Sequence, residues 1–329
     1  MDNTVDLSRW RDVPRGVTYR RWTIVVAGLR SLFRIRFFKA VLIVAWVGGA
    51  LIAGAGFVFS QSLASGGWLE TLAQHTSARA EALFTVLAGL MAIYPDIVVR
   101  TFFTFVFWVH SFLGLWFSLL ALTVLVPQLI TRDRASNALI VYLARPLTSV
   151  DYLLGKLGII VGVLLLVWTG PLLFGWLLSM LFATDRDFIV YSLSPLVRAL
   201  LFNAVAMVAL AAIALGVSAL GRRPQLTTVV WMSLWLLFGV IAAQPRAAVW
   251  LQRLSYTQDL GEVRQEVFRL DAALTDAATN LPILNQQFVT NLTSAGKKAE
   301  ATDFNGALAA LGVFVVASSL VFFRKLRPE

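Results

Sequence analysis

The sequence contains no cysteine and only two histidines, His75 and His110. The missing thiol excludes a disulfide framework, a thiolate metal site and a cysteine nucleophile. Two histidines are too few for a histidine-rich metal site. Charged residues make up only 14% of the chain, whereas an average soluble domain has about 25%. We therefore expect no metal and no cofactor bound by this chain, and we expect its surroundings to be apolar.

Hydrophobic residues account for 58% of the 329 residues, and they are grouped in long runs. A run of about 20 apolar residues is long enough to cross a bilayer as a helix. Six such runs predict an all-α polytopic membrane protein with six transmembrane helices. The predicted spans are 40–60, 102–126, 153–182, 196–220, 226–243 and 304–323. The first span contains Gly48, Gly49, Gly54 and Gly56, which we expect to allow close helix packing.

A basic amphipathic segment precedes the first predicted span. Between residues 15 and 39, apolar residues recur at three- and four-residue steps with arginines between them. This pattern predicts an interfacial helix within a cytoplasmic N-terminal segment, 1–39, at the headgroup boundary of an anionic leaflet. The segment lacks the apolar core of a signal peptide, so we expect no processing. The residues predicted to meet the headgroups are Arg20, Arg21, Trp22, Arg30 and Arg34. The alternative is a surface helix on a soluble arm.

Basic residues are concentrated in four segments that lie on one side of the predicted spans. Residues 1–39, 128–156, 221–225 and 324–329 hold 18 of the 28 Lys and Arg but only 6 of the 18 Asp and Glu. Cytoplasmic loops carry an excess of Lys and Arg, so we expect a multi-pass protein of the cell membrane with both termini in the cytoplasm. A seventh span at 82–99 would invert this distribution and is rejected. The net charge of +10 then reflects topology and anionic membrane lipid, and we expect no nucleic-acid partner.

Other features are predicted between and within the spans. Residues 183–195 are predicted to form a short connection. The polar stretch 244–303 has apolar residues at helical spacing, which predicts an external helical excursion packed on the membrane domain. Gly170 and Pro171 predict a kink in the third span, because proline removes a backbone donor and crowds the preceding turn. His110, in the second span, has no acidic partner in any predicted span, which favours a hydrogen-bonded packing role over a functional one.

The loop 128–152 carries the clearest local signals in the chain. Ser136 is placed to N-cap a short helix, 137–144, and Arg145 before a proline ends that helix. Thr148 or Ser149 can then cap the next helix, with Asp151 in its first turn. A short, capped helix flanked by arginines at a membrane face suits docking of a soluble partner. The alternative is an ordered loop held by lipid headgroups.

The chain has few groups that could perform chemistry by themselves. It contains no nucleotide-binding G-x-x-x-x-G-K-[ST] motif, no G-x-S-x-G nucleophile elbow and no H-E-x-x-H zinc motif. No pair of carboxylates lies within a predicted span, which argues against a carrier driven by protons or sodium. We expect a membrane protein that is not itself an enzyme and that takes its energy from a partner.

The segment 131–156 resembles the first cytoplasmic loop of ABC type-2 transporter permeases. The matching features are Asp133-Arg134, the apolar set between Leu139 and Leu143, Arg145-Pro146, Thr148-Ser149 and the run from Tyr152 to Lys156. The six predicted spans and the basic helix before them also agree with that family. The long excursion 244–303 resembles the permease subset that serves nitrous oxide reductase maturation, whereas the stretch 61–101 is longer than is usual in the family.

The resemblance implies the transmembrane permease subunit of an exporter. A separate cytoplasmic ABC ATPase subunit would bind ATP and Mg²⁺, and a second permease copy or a paralogue would complete a dimer. The loop 128–152 would then be a coupling loop whose short helix sits in a cleft of the ATPase. The contact residues it implies are Arg132, Asp133, Arg134, Asn137, Tyr142 and Arg145. The alternatives are a secondary carrier or channel, and a membrane scaffold that acts through the excursion 244–303.

Overall fold

The computed structural model describes residues 16–63, 89, 93–136, 148–181, 183, 186–244, 248–280 and 303–326. Within these ranges the chain is helical, without β-strands, and six helices are long and apolar enough to cross a membrane. The predicted all-α fold with six long apolar helices is confirmed at this level. The short helix predicted at 137–144 lies outside the described residues.

The described residues contain ten helices, of which the six long ones are α2 to α6 and α10. In chain order they are α1 (Val17–Leu32), α2 (Arg36–Leu63), α3 (Pro95–Ala135), α4 (Ser149–Leu181), α5 (Arg186–Leu220), α6 (Pro224–Ala242), α7 (Val249–Gln252), α8 (Tyr256–Phe268), α9 (Leu270–Asn280) and α10 (Phe304–Leu326). Three of the long helices each contain one π-helical turn. These turns are Pro127–Thr131 in α3, Leu165–Thr169 in α4 and Ser233–Leu237 in α6.

Two of the long helices extend beyond the apolar spans predicted for them, and each contains a proline. The second span was expected to end at residue 126, but α3 accommodates Pro127 in its π turn and continues to Ala135. The connection predicted at 183–195 is helical from Arg186 onward, and Pro195 lies inside α5. Membrane helices tolerate proline where neighbouring helices and local π turns satisfy the freed backbone groups. The 35 residues of α5 span about 52 Å, more than the roughly 30 Å of hydrocarbon in a bilayer.

The N-terminal helix is shorter than predicted. A continuous helix was expected over 15–39, but α1 ends at Leu32 and α2 begins at Arg36. The two helices pack on different halves of α4: α1 lies on the first half and α2 on the second. The break between them is held by apolar contacts, because Leu32 and Phe38 are fully buried and the Phe33 ring meets Phe38 edge-on at 5.7 Å. A single straight helix would not reach both halves in this way.

Glycine brings α2 and α4 into backbone contact. A Cβ built on Gly49 would lie 2.6 Å from the carbonyl oxygen of Pro171, and one on Gly175 would lie 2.6 Å from the carbonyl oxygen of Gly49. Gly48, by contrast, faces open space. Close approach of this kind is typical of helix contacts in membranes. Helices in lipid associate through van der Waals packing, and small residues let their backbones come close together. The packing role expected for the glycines of the first span therefore holds for Gly49 and for Gly56, which lies against Ser179 of α4.

The central helix is α5, which packs against both α3 and α10. Alanines make up much of its buried surface, and α8 packs against α5 and α10. At the end of α8, Arg198 of α5 donates to the carbonyl oxygen of Phe268 at 3.0 Å. The chain then breaks at Arg269, whose φ of 47° is the left-handed value, and α9 continues to the first turn of α3 around Ala277. Helices of the predicted excursion thus pack on the long helices.

Candidate functional site

The candidate site is the set of helix ends from which the loop 128–156 begins and to which it returns. The C-terminal end of α3 and the N-terminal end of α4 meet there, and the ends of α5, α6 and α10 join them. We call this region the basic end, because it carries Arg132, Arg134, Arg222, Arg223, Arg324 and Lys325. It is built from three groups of polar contacts.

The π turn of α3 makes the first group. The backbone N–H of Ile130 donates to the Ser218 hydroxyl at 2.9 Å, and the Thr131 hydroxyl donates to the Ser218 carbonyl at 2.8 Å. The Thr131 hydroxyl also lies 3.1 Å from that of Thr227, which in turn donates to the carbonyl of Arg223. A π turn changes the hydrogen-bond register of a helix, and here the changed register is used to join α3 to α5 and α6.

The second group closes the loop at its base. The Asp133 carboxylate lies 2.6 Å from Lys156 Nζ, and the Tyr152 hydroxyl donates to the same oxygen, Oδ2, at 2.8 Å. The Lys156 and Asp133 side chains are only 10% and 16% exposed, so the pair is poorly screened by water. Arg134 donates to the carbonyls of Ala219 at 2.8 Å and Lys325 at 3.3 Å. The last turn of α3 is therefore bonded to α4, α5 and α10.

The third group binds α1 to the start of α4. Thr148 caps α4 as expected, in a reciprocal capping box with Asp151. The second oxygen of Asp151 accepts from Arg21 Nε at 2.8 Å and from Arg21 Nη2 at 2.5 Å. Two nitrogens of the guanidinium thus donate to one carboxylate oxygen in a charge-assisted contact. Beyond the ion pair, Gly155 and Gly158 of α4 leave room for apolar side chains of α1.

The structure places half of the predicted coupling residues in this site. Asp133 and Arg134 are engaged within the chain, and the Arg132 side chain is exposed. Asn137, Tyr142 and Arg145 lie outside the described residues. The helix that Ser136 was predicted to begin lies outside the described residues. Ser136 ends α3, and its hydroxyl donates back to the carbonyl of Arg132 at 3.0 Å, because α3 continues past residue 126.

The predicted headgroup residues lie on two faces of α1 and in the turn that follows it. Trp22, Arg30 and Arg34 are exposed, and they line one shallow groove. Arg21 is instead paired with Asp151, and Arg20 is half-buried. The face of α1 away from α4 thus combines an aromatic ring with cations, as an interfacial helix requires. Placement at the interface stays a prediction.

Sequence reasoning assigned no contact within the site to several of its residues. They are Thr131, Tyr152, Lys156, Ser218 and Thr227. Tyr152 and Lys156 were noted only as the ends of the run 152–156. One signal for the ion pair between Asp133 and Lys156 was present in the sequence. Asp133 and Lys156 are opposite charges at the two ends of a loop between apolar runs, and a charge that must enter a low-dielectric region needs a partner.

A second polar cluster lies in the middle of the bundle. His110 Nε2 lies 3.1 Å from the carbonyl oxygen of Trp168, and Trp46 Nε1 donates to the carbonyl of Leu166 at 3.0 Å. Both acceptors belong to the π turn of α4, directly before Gly170 and Pro171. The hydrogen bond expected for His110 is present, whereas its role in packing stays a prediction. The kink expected at Gly170 and Pro171 stays a prediction, although the π turn shows that the regular helix is interrupted just before them.

The described residues contain no group of three or more His, Asp or Glu side chains that could hold a metal ion. No protein-family model matches the chain, and no curated protein matches it either. The basic end therefore has to be interpreted from its own contacts. It is a set of helix ends in which polar contacts join the end of α3 to α4, α5, α6 and α10.

Proposed function

We propose that this chain is the transmembrane permease subunit of a type-2 ATP-binding cassette exporter. A separate ATPase subunit would bind ATP and Mg²⁺ and supply the energy, and the chain itself would catalyse no reaction. The resemblance of residues 131–156 to the coupling loop of that family supports the proposal, as do the six long apolar helices and the basic segments between them. In the bilayer, we place the basic end at the cytoplasmic face of the cell membrane.

The observation that carries the proposal is the way in which the loop is anchored. Asp133 on the outgoing helix is bonded to Tyr152 and Lys156 on the returning helix, so the two ends of the loop are fixed to each other. Arg134 fixes the outgoing end to α5 and α10. A loop that only connected two helices would not need buried charges at its base, because burying charge is costly unless it is paired.

This anchoring supports a mechanism of coupling. Closure of the ATPase pair on ATP would displace the segment between α3 and α4. Because the base of the loop is one bonded unit, the displacement would move the ends of α3 and α4 together and pull on α5 and α10. The ion pair between Arg21 and Asp151 would carry α1 along. The π turns, one of which lies at the base of the loop, are points where helices can change packing.

The proposed dimer is supported by the exposure of three helices. In an 18-residue apolar stretch of each helix, the share of residues buried within the chain is 28% for α2, 22% for α6 and 17% for α10. The corresponding share for α5 is 61%. Apolar helix faces of this extent need lipid or another helix to cover them. A second permease copy, together with membrane lipid, would supply that cover.

The test is affinity purification of the tagged full-length chain from its native membrane in mild detergent, followed by mass spectrometry. The expected result is co-purification of a soluble protein with nucleotide-binding motifs in near-equal amount. Exchange of the predicted contact residues, Arg145→Ala together with Tyr142→Ala, is expected to remove it. Arg269→Ala is the matched control. This exposed arginine lies between α8 and α9, away from the basic end, and pairs with Glu266.

Two results would overturn the proposal. One is a chain that purifies alone and transports substrate on an ion gradient without ATP, which would make it a secondary carrier or channel. The other is an ATPase whose recovery is unchanged by the Arg145 and Tyr142 exchanges. In that case the loop would have no docking role, and deletion of the excursion 244–303 would become the test of a scaffold.

A further inference from the structure

A cavity of about 340 Å³ lies between α3, α5, α6 and α8, in the half of the bundle away from the basic end. Its walls are largely aromatic: the Trp116 ring meets Trp235 edge-on at 5.6 Å and Phe112 at 6.2 Å. Phe202 and Val240 complete the apolar lining. The volume falls at the lower end of the range of about 300–1,000 Å³ that is typical of small-molecule sites. The cavity is thus large enough for an alkyl chain.

Arg264 of α8 lines this cavity and has no anionic partner among the described residues. Its guanidinium carbon lies 4.8 Å from the centre of the Trp108 ring and 5.0 Å from that of Phe112, so its contacts are with aromatic faces. Its Nε is buried and makes no hydrogen bond. Burial lowers the pKa of Arg264 to about 10, so the guanidinium remains charged at neutral pH. Arg264 is half-buried, so a cation without an anion is partly desolvated there, and aromatic contact compensates for only part of that cost.

The acidic side chains nearest to Arg264 along α8 are already engaged. Asp259 and Glu262 both accept from Arg253, each at 2.9 Å. Glu266 accepts from Arg269 at 2.6 Å. The helix therefore pairs its other charges and leaves Arg264 beside the cavity. This arrangement differs from a surface arginine, which water would solvate.

A second donor in the cavity wall also lacks an acceptor. The Trp235 side chain is 5% exposed, and its Nε1 makes no hydrogen bond within the described residues. Buried indole N–H groups usually find a partner. Two unsatisfied donors and no unsatisfied acceptor in the cavity lining indicate a missing group that accepts hydrogen bonds.

We propose that this cavity binds an amphiphilic anion, with a carboxylate or phosphate headgroup held by Arg264 and an alkyl chain among the aromatic walls. The fork of the guanidinium matches both headgroups. Trp235 is the second donor available to the ligand. The ligand can come from two sources, an anionic phospholipid of the bilayer or another acidic amphiphile. This site does not depend on the proposed exporter function, because binding is measured on the isolated chain without an ATPase.

The test uses the purified full-length chain in neutral detergent micelles and a fluorescent probe, dansyl undecanoate. Energy transfer from the wall tryptophans to the dansyl group reports binding. We expect saturable binding of the carboxylate at one site per chain, and at least about tenfold weaker binding of its methyl ester, which keeps the chain but loses the charge. Palmitoyl-oleoyl phosphatidylglycerol and the corresponding phosphatidylcholine are then added as competitors.

Three variants separate the headgroup contact from the fold. Arg264→Gln should weaken binding of the carboxylate by at least about tenfold and bring it to the level of the ester. Arg269→Gln, at the residue that follows α8, should leave binding unchanged, because this side chain is 65% exposed and paired with Glu266. Gly261→Leu should block the cavity, because Gly261 lines it and a Cβ there meets no atom within 4 Å. The new side chain can therefore enter the cavity without displacing the helix.

The competitors identify the source of the ligand. Displacement by phosphatidylglycerol but not by phosphatidylcholine supports a bilayer phospholipid, whereas binding of the carboxylate that neither lipid displaces supports a different acidic amphiphile. Equal binding of carboxylate and ester would overturn the proposal. Unchanged affinity for the carboxylate in Arg264→Gln would overturn it as well.

Discussion

Removing either partner of the Asp133–Lys156 ion pair is expected to destabilise the protein by several kcal/mol. Both side chains are at most 16% exposed, and the distance between Lys156 Nζ and Asp133 Oδ2 is 2.6 Å. Lys156→Met leaves a largely buried carboxylate that keeps, among the described residues, the hydrogen bond from the Tyr152 hydroxyl. Asp133→Asn leaves a buried ammonium group. Breaking a buried pair in this way costs about 3–5 kcal/mol, because the remaining charge is desolvated without compensation.

The double variant Asp133→Asn with Lys156→Met removes both charges and should be much less destabilised than the sum of the single variants. The expected coupling energy is about 2–3 kcal/mol, the upper part of the range for residues in direct contact. The free energy of unfolding is measured by titration with sodium dodecyl sulfate in mixed micelles and followed by tryptophan fluorescence.

A matched control is provided by Arg269 and Glu266. Their ion-pair distance is also 2.6 Å, but their side chains are 65% and 36% exposed. Exposed pairs of this kind contribute only about 0.2–1 kcal/mol, because water screens the charges and the side chains lose entropy. A coupling energy of Asp133 with Lys156 no larger than that of the control pair would contradict the prediction. It would show that burial does not strengthen this ion pair. The base of the loop could then not be regarded as a bonded unit.

Two further predictions concern other parts of the bundle. Gly49→Ala should destabilise the protein by about 1–3 kcal/mol, because the new methyl group would meet the backbone of Pro171. Gly48→Ala, its control, should be neutral or slightly stabilising. The same unfolding titration compares the two variants. Burial of Asp259 raises the pKa of its carboxyl to about 7, despite its bond to Arg253, so the folded state favours the protonated form. The contribution of Asp259 to stability should therefore decrease as the pH rises from about 4 to 7. Unfolding titrations at several pH values measure this dependence, and Asp259→Asn should flatten it. A wild-type stability that rises across this window would contradict the raised pKa of Asp259.

The number of long helices could be predicted from the sequence because it depends on composition and length alone. Each apolar run is long enough to cross a bilayer, and a backbone in lipid has to satisfy its own hydrogen bonds, which favours helices. The cap at Thr148 was also predictable, since the capping box is a contact over three residues. These features depend on neighbours in the sequence.

Helix ends near proline were not predictable by the same reasoning. Proline usually ends a helix in water, because it removes a donor and crowds the preceding turn. In this bundle Pro127 begins a π turn whose free backbone groups are used by Ser218, and Pro195 is fully enclosed in α5. Whether a neighbour is available to accept or donate at that point is a property of the tertiary structure.

Partners separated by long stretches of chain were not predictable either. Arg21 and Asp151 are 130 residues apart, and nothing in their local sequences identifies them as a pair. The same holds for Gly48 and Gly49, which are adjacent and equally small but face open space and Pro171 respectively. Only the packing of α1 and α2 on α4 distinguishes these residues.

The two ends of the bundle differ in how fully their buried polar groups are paired. At the basic end, Arg134 and Thr131 each contact two other helices through hydrogen-bonding groups. In the other half, Arg264 and the Trp235 indole lack acceptors. A ligand that binds one conformation more tightly than another shifts the population toward it by the difference in affinity. An anion that pairs with Arg264 would favour the arrangement of α3, α6 and α8 that encloses it. Rearranging these helices would require that contact to break, and the bonded basic end is where a partner could supply the energy.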